Sequence, residues 1–181
     1  DKQFAQFCVF GTALLEKNQV MNLTAITEPD AVARLHFADS LALLNAADFR
    51  EKRVLDVGCG AGFPGVPLKL DEPSIDLTLL DSLQKRVNWL RETLEAMGVS
   101  AHCVAARAEE AASKPAMRER FDISCARAVA RFSALCELCL PFVRHGGEFI
   151  ALKGHSEDEV SEASNAIKKL GGVLISSTSY N

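Results

Sequence analysis

The residues with the most chemical potential lie in one short run, Val54-Leu55-Asp56-Val57-Gly58-Cys59-Gly60-Ala61-Gly62-Phe63-Pro64-Gly65. An apolar strand ends there in glycines and a helix follows. Without Cβ atoms the backbone can turn sharply and let a ligand approach, while a helix start presents free N–H groups. Gly60, Gly62 and Gly65 have the spacing of the dinucleotide fingerprint, which alone is a weak signal. Pro64 and Pro67 are unusual at the start of a dinucleotide-binding helix. Asp81, about 21 residues beyond Gly60, closes the apolar run Thr78-Leu79-Leu80. A carboxylate at the end of a second strand can accept hydrogen bonds from both hydroxyls of a bound ribose. Ala108 and Glu109 follow a third strand-like run, where a backbone N–H and a carboxylate can read an adenine edge. The lesser reading of Glu109 is an acid favoured at a helix start.

These residues need elements to hold them at one edge. Strand-like runs fall at Arg53–Val57, Leu77–Leu80, Ala101–Ala105, Phe121–Cys125 and Glu148–Leu152, with helical runs at Gly65–Leu70, Leu83–Met97 and Ser133–Leu140 between them. That alternation predicts a parallel sheet covered on both faces. Another helix is expected from Ser156, with Ser156 and Glu159 as a capping box, and a final strand at Val173–Thr178. Ahead of the sheet, about 17 residues read as a helix burying Phe4, Phe7, Cys8, Gly11, Leu14 and Leu15. A second helix is expected to start at Thr27 as its cap and to run through Val32, Leu35, Asp39 and Leu43. The expected organisation is a helical extension over residues 1–50 and a sheet-based core over residues 51–181.

The 181 residues suit one such α/β unit, and 48% hydrophobic with 24% charged residues is an ordinary globular balance. No apolar run approaches the roughly 20 residues that span a bilayer. The opening Asp1-Lys2-Gln3 is not a secretory pattern, and the lack of an initiator Met leads us to expect further residues before it. The six cysteines mostly sit in apolar runs, so a reduced, cytoplasmic protein is expected. Cys136 and Cys139 are expected in the core: no second ligand pair accompanies them, and no metal is expected. His102, His145 and His155 show no ligand spacing and read as surface residues. A net charge of −4 argues against a broad basic surface for nucleic acid, though not against a local patch.

Asp56-Val57-Gly58-Cys59-Gly60, with an acid two residues before the first glycine, resembles motif I of the class I methyltransferases. The resemblance then extends along nearly the whole chain. Asn22-Leu23-Thr24-Ala25-Ile26, His36-Phe37-Ala38-Asp39-Ser40-Leu41, Asp56–Gly65 with Pro67, and Leu79-Leu80-Asp81-Ser82-Leu83 with Lys85 and Arg86 follow in order. Arg107-Ala108-Glu109-Glu110, Ala126-Arg127-Ala128 and Ala151-Leu152-Lys153-Gly154 complete the series. Together they resemble the small-subunit rRNA guanine-N7 methyltransferases called RsmG or GidB. The resemblance implies a Rossmann-like class I fold, S-adenosylmethionine as cofactor, and 16S rRNA or the small ribosomal subunit as partner. It implies cofactor contacts at Gly58, Phe63, Ala108, Glu109 and Arg127, to which the turn itself adds Gly60 and Asp81. Two departures stand out. Leu35 precedes His36 where the family often has a basic residue, with Arg34 one place earlier, and the family's closing strand has no counterpart after Val173–Thr178.

Methylation of guanine N7 needs no general base, because the atom carries a lone pair and no proton. Catalysis can come from alignment and exclusion of water. Ser124-Cys125-Ala126-Arg127-Ala128 fits that reading, since it offers no acid–base dyad. Arg127 is the best catalytic candidate: it can stack on or hydrogen-bond a guanine, or bind the cofactor's carboxylate. Arg131 and Lys153 lie at the same sheet edge and read either as RNA-phosphate contacts or as solvated charges. His36 reads either as a packing histidine or as an RNA contact. The expected activity is 16S rRNA guanine-N7 methylation by a monomer. The alternatives are a class I methyltransferase on another substrate, an NAD(P)-dependent oxidoreductase, or a non-catalytic cofactor-binding module.

Overall fold

The computed structural model describes residues 2–127, 130–154 and 157–178, with the side chain of Glu157 outside the description. Helix α1 (Lys2–Met21) leads into a second helical rod. That rod runs from α2 (Pro29–Val32) through a π-helical turn at Ala33–Ala38 and α3 (Asp39–Leu41) to a 3-10 turn at Ala42–Asn45. Then follow β1 (Arg53–Val57), α4 (Gly65–Asp71), β2 (Asp76–Asp81), α5 (Gln84–Ala96), β3 (His102–Ala105) and α6 (Ala108–Ala112). The remaining elements are β4 (Phe121–Arg127), α7 (Phe132–Cys139), β5 (Val143–Leu152) and α8 (Glu157–Lys169).

The strands form one parallel sheet in the order β3-β2-β1-β4-β5. The order reverses between β1 and β4, and the crevice beyond the carboxyl ends of those two strands is where open α/β sheets bind ligands. Burial on both faces explains why β1, β2 and β4, the inner strands, are almost continuously apolar. One face, through Val54, Leu77, Leu79 and Cys125, packs against α1, α4 and α5 by way of Phe10, Val66, Leu68 and Leu90. The other, through Leu55, Val57, Leu80 and Ala126, packs against α6 and α7 by way of Ala111, Leu135 and Cys139.

Several expectations give way to the structure. In α1 the buried residues are Phe10 and Leu14, with Phe7 and Leu15 half-buried beside them, so Phe4 and Cys8 turn outward and Phe4 is 69% exposed. The second helix starts at Pro29 after Glu28, not at Thr27; proline lacks an N–H and is preset for a first helical turn. Strand β5 starts at Val143 rather than Glu148, because a bulge separates the Phe121–Val143 pair from the Ile123–Glu148 pair. That bulge needs Gly147, where an added Cβ would lie 2.6 Å from the Asp122 carbonyl oxygen. The run Val173–Thr178 is not a strand: it pairs with no strand among the described residues, and Val173 and Ile175 are more than 80% exposed. β-forming side chains make a strand only where a ladder partner exists. Cys136 and Cys139 are core residues, as expected. His155 and the proposed cap Ser156 lie outside the described residues, as does Ala128. No helix among the described residues is long and apolar enough to cross a membrane.

Candidate functional site

The turn after β1 is anchored from below. The N–H groups of Gly58 and Cys59 both donate to the Leu80 carbonyl, at 2.8 and 3.0 Å. Gly58, Gly60 and Gly62 all have positive φ, at 70°, 55° and 95°, a conformation that side chains with a Cβ rarely adopt. The Gly60 N–H donates to Asp81 Oδ2 at 2.9 Å, and Asp81 Oδ1 accepts from the Leu83 N–H at 2.8 Å. One buried carboxylate thus ties the turn to the end of β2. A Cβ built on Gly60 would meet nothing nearer than the Gly58 carbonyl oxygen at 3.9 Å, so the backbone is open to a ligand there.

The start of α4 is closed by comparison. The Gly65 N–H donates to Asp56 Oδ2 at 2.8 Å, the Val66 N–H to the Gly62 carbonyl at 2.8 Å, and Pro67 has no N–H. Asp56 is completely buried, its Oδ1 has no hydrogen-bond partner, and burial pushes its carboxyl up to about 7. A dinucleotide's pyrophosphate needs free N–H groups at that helix start. Here they are spent within the protein beside a carboxyl, so the glycine spacing that matches the dinucleotide fingerprint does not make a pyrophosphate cradle. A nucleoside without pyrophosphate fits the open Gly60 and the adjacent Asp81.

Arg127 ends β4 on the other side of the crevice, and the Asp56–Cys125 register brings it beside the glycine turn. Its Cζ lies 5.0 Å from the centroid of the Phe63 ring. Its guanidinium donates to the Leu35 carbonyl at 3.1 Å and to His36 Nδ1 at 2.8 Å, with Asp39 Oδ2 at 3.5 Å. His36 in turn stacks on Phe63, with ring centroids 4.7 Å apart and planes 20° from parallel, and its Nε2 lies 2.7 Å from Thr24 Oγ1. Burial, then the Arg127 charge, lowers its pKa to about 4, so the ring is neutral at physiological pH.

The other sequence candidates separate into two groups. Ala108 and Glu109 open α6 after β3, as the sequence implies, with Glu109 exposed and 3.8 Å from Arg107. Arg131 and Lys153 reach the same edge, but both meet acids of α8. Arg131 is exposed and 3.7 Å from Glu162; Lys153 is mostly buried and donates to Glu159 and to the Ala130 carbonyl. Glu159 also accepts from the Phe132 N–H at the start of α7. His36, read as a possible RNA contact, is 8% exposed and has both ring nitrogens engaged within the protein. Sequence reasoning did not find Thr24 and Asp39 as partners of this cluster, nor Phe10 and Phe37 packed around Phe63. No periodic or motif signal links residues that approach only through tertiary packing.

Known proteins resemble this chain along nearly its whole length. The chain matches the GidB family model, described as rRNA small subunit methyltransferase G, over residues 3–180. It is 48% identical over 177 residues to the ribosomal RNA small subunit methyltransferase G of Lachnoclostridium phytofermentans, covering 95% of this chain and 72% of that protein. It is 44% identical over 177 residues to the same-named protein of Clostridium botulinum, covering 96% and 74%. Among solved structures, a SAM dependent methyltransferase from Aquifex aeolicus superposes with a TM-score of 0.54 at 18% identity, over 80% of this chain and 83% of that one, which speaks to the fold alone. With a match across nearly its whole length and relatives well above 40% identity, this chain belongs to the GidB family, rRNA small subunit methyltransferase G.

Proposed function

We propose that the chain transfers the methyl group of S-adenosylmethionine to N7 of a guanine in 16S rRNA, as a monomer in the cytoplasm and without a metal. The observation that carries this reading is the Asp81–Gly60 contact at the switch point of the sheet, with Arg127 ending β4 across the crevice over Phe63. Open space over Gly60 and a neighbouring carboxylate suit an adenosyl group, and the closed start of α4 disfavours a pyrophosphate. Six free cysteines, four of them buried, suit a reducing compartment.

In this reading Gly58, Gly60 and Phe63 pack against the nucleoside and methionine moieties, and Asp81 accepts from the ribose hydroxyls. Ala108 and Glu109 read the adenine edge. When bound, S-adenosylmethionine supplies a methyl carbon already activated by a sulfonium. The chain's own task is alignment. Guanine N7 attacks with a lone pair, so no side chain has to remove a proton, and His36, its ring nitrogens engaged by Arg127 and Thr24, is not needed as a base. Arg127 orients the guanine or the cofactor's carboxylate through a rigid two-pronged donor. Arg131 and Lys153 hold RNA phosphates after exchanging their α8 partners. The test is to supply labelled S-adenosylmethionine with small ribosomal subunits that lack the modification. Label in 16S rRNA is expected; cofactor binding with no label in RNA would overturn the reading.

A further inference from the structure

The helices ahead of the sheet do more than cover it. A π-helical turn is uncommon and recurs at functional sites, and the one at Ala33–Ala38 faces Arg127. From this turn Arg127 receives two acceptors, the Leu35 carbonyl and His36 Nδ1, and from the residue that follows it an ion pair with the Asp39 carboxylate. A guanidinium has donors only, so Nδ1 must be the bare nitrogen of the ring. The proton then sits on Nε2, which donates to Thr24 Oγ1, an atom that also accepts from the Ile26 N–H at 3.0 Å. Both ring nitrogens are committed, one tautomer is selected, and the ring is further held flat against Phe63.

We infer that His36 is a positioning residue: its bare Nδ1 fixes the orientation of Arg127 over the glycine turn. This rests on the reading of Arg127 as a contact to the reacting partners. A histidine serving only as packing would need its ring and volume, but neither a particular tautomer nor an acceptor at the δ position. The charged groups facing the ring are Arg127, from β4, and Asp39, from the following turn of its own helical rod.

Two substitutions separate the alternatives. In His36→Asn the amide oxygen can stand where Nδ1 stood and still accept from Arg127. In His36→Gln the amide reaches the Nε2 position toward Thr24 and leaves Arg127 without that acceptor. Both lose the ring equally. Methylation of 16S rRNA by His36→Gln is expected to fall about tenfold in kcat, toward that of Arg127→Ala, with His36→Asn several-fold better. The double variant His36→Gln/Arg127→Ala should be no worse than Arg127→Ala alone. Equal loss in the Asn and Gln variants, or additive loss in the double variant, would overturn the inference. Should the variants fold poorly, 15N spectra of histidine-labelled wild-type protein decide independently: Nε2–H with bare Nδ1 is expected, and Nδ1–H would overturn it. Arg127→Ala with undiminished methylation would instead sink the reading of Arg127 itself. An inactive Arg127→Ala beside a fully active His36→Gln would sink the inference alone.

Discussion

Asp56 and His36 stand a few residues' reach from the same turn and respond to pH in opposite directions. The Asp56 carboxyl is raised to about 7 by burial, so between about pH 4 and 7 the folded chain holds a proton that the unfolded chain releases. Its contribution is complete only below about pH 4 and is lost progressively as pH rises to about 7. His36, lowered to about 4 by burial and by Arg127, does the reverse: its contribution is complete above about pH 6.5 and is lost as pH falls toward 4. Asp56→Asn keeps an acceptor for the Gly65 N–H and removes the titration. Relative to wild type it is expected to gain a few kcal/mol between about pH 5 and 8, read from urea unfolding at several pH values. A constant difference across that range would mean that the Asp56 carboxyl is already ionised there and is not raised in the fold. Gly65 is tied to the same carboxyl. An added methyl would lie 2.9 Å from Asp56 Oδ2 and 2.8 Å from Leu79 Cδ2. Gly65→Ala should therefore cost about 1–3 kcal/mol in the same unfolding assay, although Gly65 has an ordinary helical φ and alanine is the better helix former.

At the scale of elements, α1 reaches the site most directly through Phe10. The Phe10 ring lies 5.9 Å from Phe63, 6.0 Å from Trp89 and 6.2 Å from Phe37, centroid to centroid, so it joins the helix to the glycine turn and to α5. Phe10→Ala is expected to cost about 3–5 kcal/mol and to weaken cofactor binding in calorimetry. Phe4→Ala, on the exposed side, should stay within about 0.5 kcal/mol. This is also where sequence reading reached its limit. Heptad-like spacing identified α1, but two overlapping apolar stripes were available, and only the docking of Phe10 against Phe63 selects between them. The inner strands β1, β2 and β4 were legible because both their faces are buried, which makes the apolar runs continuous. The start of β5 was not, since Arg144, His145 and the glycines after them form a bulge whose backbone partner is supplied by β4. Val173–Thr178 has the composition of a strand, and composition does not supply a ladder partner.

For the whole molecule, the order β3-β2-β1-β4-β5 gathers the glycine turn, Asp81 and Arg127 at one edge although they are spread over about 70 residues of sequence. That edge was foreseeable from the alternation of strands and helices, and Asp81 and the glycines could be named from it. The engagement of His36 with Arg127 could not, because it depends on how the helical rod folds back across the sheet. The central claim is that this edge delivers a methyl group to one atom of one kind of RNA. The direct measurement is to incubate the protein with isotope-labelled S-adenosylmethionine and small ribosomal subunits lacking the modification, digest the 16S rRNA, and identify the labelled nucleoside by mass spectrometry. Label in 7-methylguanosine, abolished in Arg127→Ala, is the predicted result. Label in any other nucleoside, or none despite measured cofactor binding, would contradict it.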